Sequence, residues 1–396
     1  MEGQAASRPA DPRSRPAPIL PLQSGDAPGN YVVSSETSPL GENEVAPPVT
    51  QVQPPTPDPT INEAVRQLVK QWGYDHSPEL IEEMVGTVLK MAQDRMSVAD
   101  LKMYNRSLKE LRYAARLFAG YRECRKVSIF GSARTDPEAP EARAAEHYAR
   151  RMSEEGFMTI TGGGDGIMGA AQRGAGAEHS FGLNIRLPFE QSANLTINGD
   201  PKLINFNYFF TRKLNFMKES HAVALFPGGF GTMDEGFEVL TLLQTGKAKM
   251  IPVVLVDEPD GHYWETWEAF MRGHLLHLGL ISEDDFHLFR LTRDVEEAVA
   301  ETVGFYKVYQ SSRYVGQEMI IRLARKLTDA TVEALNDRFG DLLRSGRFVQ
   351  GAALRQEKNE PELADLPRLI FTPNRRNFGR MRLLIDAINA SEKPAG

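Results

Sequence analysis

A single cysteine, Cys124, stands in 396 residues. One thiol excludes an internal disulfide and a multi-cysteine zinc site. No apolar run reaches the roughly 18 residues that a membrane span needs. The N-terminus also lacks the apolar stretch of a secretory signal. No His, Cys and Asp cluster appears at ligand spacing, so neither a metal nor another cofactor is expected. Basic charge is not in excess: 46 Lys and Arg face 53 Asp and Glu, for a net charge of −7. That balance argues against nucleic acid or an anionic membrane as partner. A reducing, cytoplasmic setting is the expectation.

The chain does have enough apolar content, 41%, to build a sizeable core. Its prolines are uneven: 13 of the 25 lie in residues 1–60. That segment has almost no aromatics and is expected to be a disordered, Pro-rich tail. Residues 61–121 place apolar side chains at helical spacing, for example Leu80, Ile81, Met84, Val88 and Leu89. A helical segment is expected there, its stripe packed on the rest of the protein. From 122 to 303 short strand-like runs alternate with helical patterns. The strand candidates are Lys126–Phe130, Met158–Thr161, Phe181–Leu187, Ala222–Phe226 and Met250–Val256. Alternation of this kind predicts an α/β fold, a doubly wound parallel sheet covered on both faces. Residues 304–396 read as a mostly helical extension, with one short strand near Leu369–Phe371 and a helix over Asn377–Asn389.

Three loops hold the chemistry. Gly131-Ser132-Ala133-Arg134 follows the first strand. Gly162-Gly163-Gly164-Asp165-Gly166-Ile167-Met168-Gly169 follows the second. Pro227-Gly228-Gly229-Phe230-Gly231-Thr232-Met233-Asp234-Glu235 follows the strand at Ala222. Each sits at a strand end and opens a helix. Glycines there let backbone N–H groups approach an anion, and a helix N-terminus favours negative charge. A phosphate-bearing ligand follows. Gly164-x-Gly166-x-x-Gly169 satisfies a dinucleotide fingerprint, but the acidic residue expected about 20 positions on is displaced. Glu190 falls beyond Pro188.

The third loop fits the PGGxGTxxE signature and resembles the Lonely Guy family, long mislabelled as lysine decarboxylases. Thr211-Arg212-Lys213 resembles the Arg-Lys pair of that family, and GGGDGIMG its GGGxxGxMG loop. Thr241 falls where the family usually has threonine. The motifs lie within about 122–290. The resemblance implies a Rossmann-like fold and cleavage of the N-glycosidic bond of nucleoside 5′-monophosphates, with homodimers or larger assemblies. It implies Arg212 and Glu235 as the catalytic pair. It also implies contacts to substrate from Ser132, Arg134, Gly163, Gly164, Gly166, Met168, Gly169, Lys213, Gly228, Gly229, Phe230, Gly231, Thr232, Met233, Asp234 and Thr241.

The residue types suit that chemistry. Glycosidic cleavage builds positive charge on the ribose, which a carboxylate such as Glu235 stabilises while it orients or deprotonates water. Arg212 offers a fixed fork for phosphate or a ribose hydroxyl. Plainer readings stand beside these. Arg134 serves either the nucleotide or an ion pair. Glu190 and Asn194 flank the base side or belong to a surface loop. His221 reads as packed. The cluster of Arg368, Arg375, Arg376, Arg380 and Arg382 reads as a solvated or subunit-facing surface. A nucleotide-sensing module without catalysis is the alternative function. Asp234 replaces the usual glutamate. Phe209-Phe210-Thr211 is more apolar than in short plant-like members, which favours a housekeeping nucleotide over a cytokinin one.

Overall fold

The computed structural model describes residues 59–73, 77–187, 192–358 and 360–393. Most of the Pro-rich segment, and Glu190, lie outside them. The chain divides into two compact units at Lys102/Met103. The first holds α1 (Pro59–Gln71) and α2 (Pro78–Gln93), and α3 (Val98–Phe118) runs through the division. Within that unit α2 buries none of its residues. Its stripe of Leu80, Met84, Val88 and Leu89 therefore stays about half exposed.

The second unit is built on β1 (Lys126–Phe130), α4 (Pro140–Glu154), β2 (Met158–Thr161), α5 (Ile167–Ala175), β3 (Ser180–Ile185) and β4 (Leu203–Phe206). It continues through α6 (Phe209–Glu219), β5 (Ala222–Leu225), α7 (Phe230–Gln244), β6 (Val253–Val256), α8 (Tyr263–Phe270), β7 (Arg290–Thr292) and α9 (Val295–Gly304). The seven strands form one parallel sheet in the order β4-β3-β2-β1-β5-β6-β7. β1, β2, β5 and β6 are buried along their whole length. Such continuous burial belongs to a parallel sheet covered by helices. The expected α/β architecture is therefore present. β4 and β7 are additions to the five expected strands. They are short edge strands, four and three residues long, and each has exposed positions, so neither is a continuous apolar run.

The C-terminal residues correct the expectation of a mostly helical extension. β8 (Tyr309–Val315), β9 (Glu318–Leu323), α10 (Asp329–Phe339), β10 (Leu343–Gly351), β11 (Arg368–Pro373) and α11 (Phe378–Asn389) follow α9. The four strands make an antiparallel sheet in the order β10-β11-β9-β8. Met319-Ile320-Ile321, within the residues expected to be mostly helical, is a buried strand that includes two β-branched residues. A short apolar run cannot be told from a helix by periodicity. β10 shows no apolar pattern because most of it is exposed.

The arginine cluster is not a common surface either. Arg368 is fully buried against Glu357, with Arg322 on the other side of the carboxylate. Burial pushes Glu357 up, but the Leu354 N–H and the two guanidinium groups outweigh it and hold the carboxyl at about 2. Arg382 is buried between Glu301 and Asp386. Arg380 pairs with Asp341 at 3.0 Å, and Arg375 stacks over Tyr314. Among the described residues no helix is long and apolar enough to cross a membrane.

Candidate active site

The strand order places β1 beside β5 at the middle of the sheet. From β1 the chain winds toward β2, and from β5 toward β6. Two loops that leave neighbouring strands in opposite directions open a crevice at the carboxyl edge of the sheet. The first and third glycine loops occupy that point, and the second follows β2 next to them. A cleft of about 810 Å³ lies between them.

Backbone bonds stitch the loops together. Ser132 N–H donates to Pro227 O at 3.1 Å, and Ile167 N–H donates to Ser132 O at 3.0 Å. Gly166 has φ +62, and a Cβ there would lie 2.3 Å from Ser132 O. Only glycine fits both demands. A Cβ on Gly228 would lie 2.1 Å from the Thr232 hydroxyl. Asn194 corrects its surface-loop reading. It is 6% exposed, and its side-chain amide donates to Gly163 O at 3.1 Å and Gly164 O at 2.8 Å. It therefore holds the second loop from behind. Tyr263 was missed altogether. It lines the cleft, and its hydroxyl donates to Gly228 O. Asp257 fixes the neighbouring turn by accepting from Trp264 N–H at 2.9 Å.

The cleft gathers most of the residues chosen from sequence. Ser132, Arg134, Gly164 and Met168 line it from the first two loops. Gly228, Gly229, Phe230, Gly231, Thr232, Met233 and Glu235 line it from the third, and Arg212 from α6. Gly163, Gly166 and Gly169 shape the second loop without lining the cleft, and Lys213 and Asp234, on α6 and α7, do not line it either. Thr241 is exposed on α7 and is not brought to the cleft within this chain. Arg134 stands exposed at the rim. His221 accepts from Lys126 N–H beside β1, and burial pushes it down to about 4.

The start of α7 suits an anion. Its capping residue Gly229 supplies no side-chain acceptor, and its first turn has no acidic residue. First-turn N–H groups of a helix have no partner within it, and here Phe230, Gly231 and Thr232 lie on the cleft. The second loop differs, since Gly163 N–H goes to Thr161 Oγ1 and Ile167 N–H to Ser132 O. The third loop is thus the more open seat.

Glu235 projects early in α7 and is only 5% exposed. Arg212 Nη2 lies 3.6 Å from Glu235 Oε1. The Arg212 guanidinium stacks over the Phe209 ring at 4.9 Å, and its Nε has no partner among the described residues. Burial pulls the Arg212 pKa down and Glu235 opposes that, though arginine stays charged. Lys213 Nζ lies 2.9 Å from Asp234 and 2.7 Å from Glu238. Burial pushes the Glu235 carboxyl up to about 7, against the pull of Lys213 and Arg212. A buried carboxyl that titrates near neutrality is fitted to proton transfer. Among the described residues no group of three His, Cys, Asp or Glu side chains is placed to hold a metal ion.

Residues 168–302 match the family model described as "Possible lysine decarboxylase". The central segment of this chain resembles the Lonely Guy family. A probable cytokinin riboside 5′-monophosphate phosphoribohydrolase of Oryza sativa subsp. japonica is 30% identical over 163 residues, 40% of this chain and 63% of that protein. A second rice protein of the same description is 27% identical over 154 residues, 38% of this chain and 64% of that protein. The chain thus spans somewhat under two thirds of these Lonely Guy relatives. Among solved structures, the Moco carrier protein of Chlamydomonas reinhardtii is 20% identical with a TM-score of 0.31, over 45% of this chain and 94% of that one.

Proposed function

We propose that this protein hydrolyses the N-glycosidic bond of nucleoside 5′-monophosphates, releasing free base and ribose 5-phosphate. The carrying observation is the buried Glu235, raised to about 7, on the helix whose open N-terminus lines the same cleft. A 5′-phosphate at the start of α7 sets the ribose beside Glu235 and Arg212. The C1′–N bond then breaks with its electron pair leaving on the base, and C1′ gains oxocarbenium character. Ionised Glu235 stabilises that charge and takes a proton from the water that attacks C1′; that proton passes on to the departing base, which leaves as the neutral free base and returns Glu235 to its ionised form. Arg212 holds phosphate or a ribose hydroxyl through its fork.

Binding without catalysis remains the alternative, but it leaves the cost of burying Glu235 without a purpose. Lysine decarboxylation has no support from Lys213. Burial pulls its pKa down, yet Glu238 and Asp234 outweigh that and keep the amine charged. Phe209 adds an aromatic wall to the cleft, on which the base of an ordinary or a cytokinin nucleotide can stack alike. The test is chromatography of AMP, GMP, CMP and a cytokinin nucleotide after incubation with the protein. Base release supports the reading, and its absence from all four removes it.

Two smaller expectations accompany it. Tyr263→Phe frees Gly228 O and loosens the phosphate seat, so KM should rise about fivefold, the worth of one hydrogen bond, with kcat little changed. An unchanged KM would remove Tyr263 from the seat. A homodimer or larger assembly would cover the exposed Phe210, Leu214 and Phe237. Light scattering should return at least twice the chain mass; a monomer would contradict this.

A further inference from the structure

We infer that Glu110, on α3 and outside the segment that matches the family model, positions the helix that carries Arg212. α6 starts without help of its own: Tyr208 caps it with no side-chain acceptor, and its first turn holds no acidic residue. The positive dipole end of such a start favours an anion. Glu110 supplies one from far away in sequence. One carboxylate oxygen accepts from Asn207 N–H at 2.9 Å and from the Asn207 side-chain amide at 2.6 Å. The other accepts from the Thr211 hydroxyl at 2.6 Å.

The site of these bonds gives them their consequence. Asn207 sits in the link from β4 to α6, and Thr211 directly precedes Arg212. The entry to α6 and its first turn are therefore tied to one buried group. Glu110 is 3% exposed and Thr211 fully buried, so water does not compete for these charge-assisted bonds. Beyond its stacking on Phe209 of the same helix, Arg212 has little anchorage: among the described residues its Nε is unpartnered, and its nearest carboxylate is Glu235. The register of α6 therefore decides where its fork lies. Displacement by about 1 Å at a reacting centre can cost about a hundredfold in rate. This gives the helical segment before the sheet a task at the site. Its catalytic meaning rests on the function proposed above.

Full-length wild type, Glu110→Ala, Glu110→Gln and Thr211→Val decide the matter. Glu110→Ala should lower kcat about tenfold to a hundredfold. It should also move the acidic midpoint of kcat to higher pH. Arg212 and Lys213 recede from Glu235, leaving Asp234 and Glu238 as its charged neighbours on α7. Glu110→Gln should stay within a few-fold of wild type, because its oxygen still accepts from Asn207. Its NH2 meets the Thr211 hydroxyl, which turns to Tyr208 O, 2.9 Å away. Thr211→Val should fall between the two. A lowered Tm with unchanged kcat per folded molecule and unchanged midpoint would show a structural role only and overturn the inference. If Glu110→Ala does not fold, unchanged kcat and midpoint in Thr211→Val overturn it instead. If wild type releases no base, the functional reading fails separately. Hydrogen exchange over 207–213 then decides whether Glu110 holds α6: equal protection in wild type and Glu110→Ala overturns it, and lost protection supports the hold.

Discussion

Glu235→Gln should lower base release by at least about 10² to 10⁴-fold, the range that a positioned acid–base group supplies. The substitution keeps the shape of the side chain and removes both its charge and its basicity. Nucleotide binding should survive, since the proposed phosphate seat uses backbone N–H groups of the third loop. The pH profile carries a second signature. Burial raises Glu235 to about 7, so in wild type kcat should fall as pH drops below that value and the carboxylate takes up a proton. Stability runs the other way. A carboxyl raised in the folded state stabilises most below its unfolded value of 4.5, and that contribution is lost as pH rises through about 7. Glu235→Gln should therefore melt higher than wild type above pH 7, by roughly a few degrees. Calorimetry at pH 5 and pH 8 reads this. A variant less stable than wild type at pH 8 would contradict a strained, functional carboxylate.

Arg212→Ala should cost about 10² to 10³-fold in kcat, the worth of one preorganised electrostatic contact. Arg212 is a candidate to hold phosphate or a ribose hydroxyl, and it also faces Glu235 at 3.6 Å. Its removal takes away a positive neighbour that lowers the Glu235 pKa, so the acidic limb should also move to higher pH. Arg212→Lys should recover only part of the loss, because an ammonium cannot replace a bidentate fork stacked on Phe209. Steady-state kinetics of the three proteins across pH 5–9 measure both effects. Full activity in Arg212→Ala would remove it from the reaction.

The sheet and the loops that line the candidate site were legible because their signals are local. A glycine loop next to a buried strand announces itself within ten residues, and Arg212 and Glu235 lie inside or near such motifs. The supporting residues were not legible for the opposite reason. Glu110 meets Asn207 and Thr211 only after about a hundred residues of intervening chain are folded. Tyr263 reaches Gly228 because β6 lies beside β5, a fact of strand order. Asn194 looks like any loop asparagine until its burial behind Gly163 is seen. Thr241 was chosen by motif position alone, and its exposed place on α7 does not bring it to the cleft within this chain. The C-terminal sheet was hidden because β9 is a short apolar run and β10 is mostly exposed. Neither carries a period to read.

Base release from the nucleotide panel by wild type and Glu235→Gln side by side tests the central claim most directly. Wild type is expected to convert at least one nucleoside 5′-monophosphate to free base and ribose 5-phosphate, while Glu235→Gln binds the same nucleotide and leaves it intact. Tight binding without base release by wild type, or equal release by both proteins, would contradict a phosphoribohydrolase that works through Glu235.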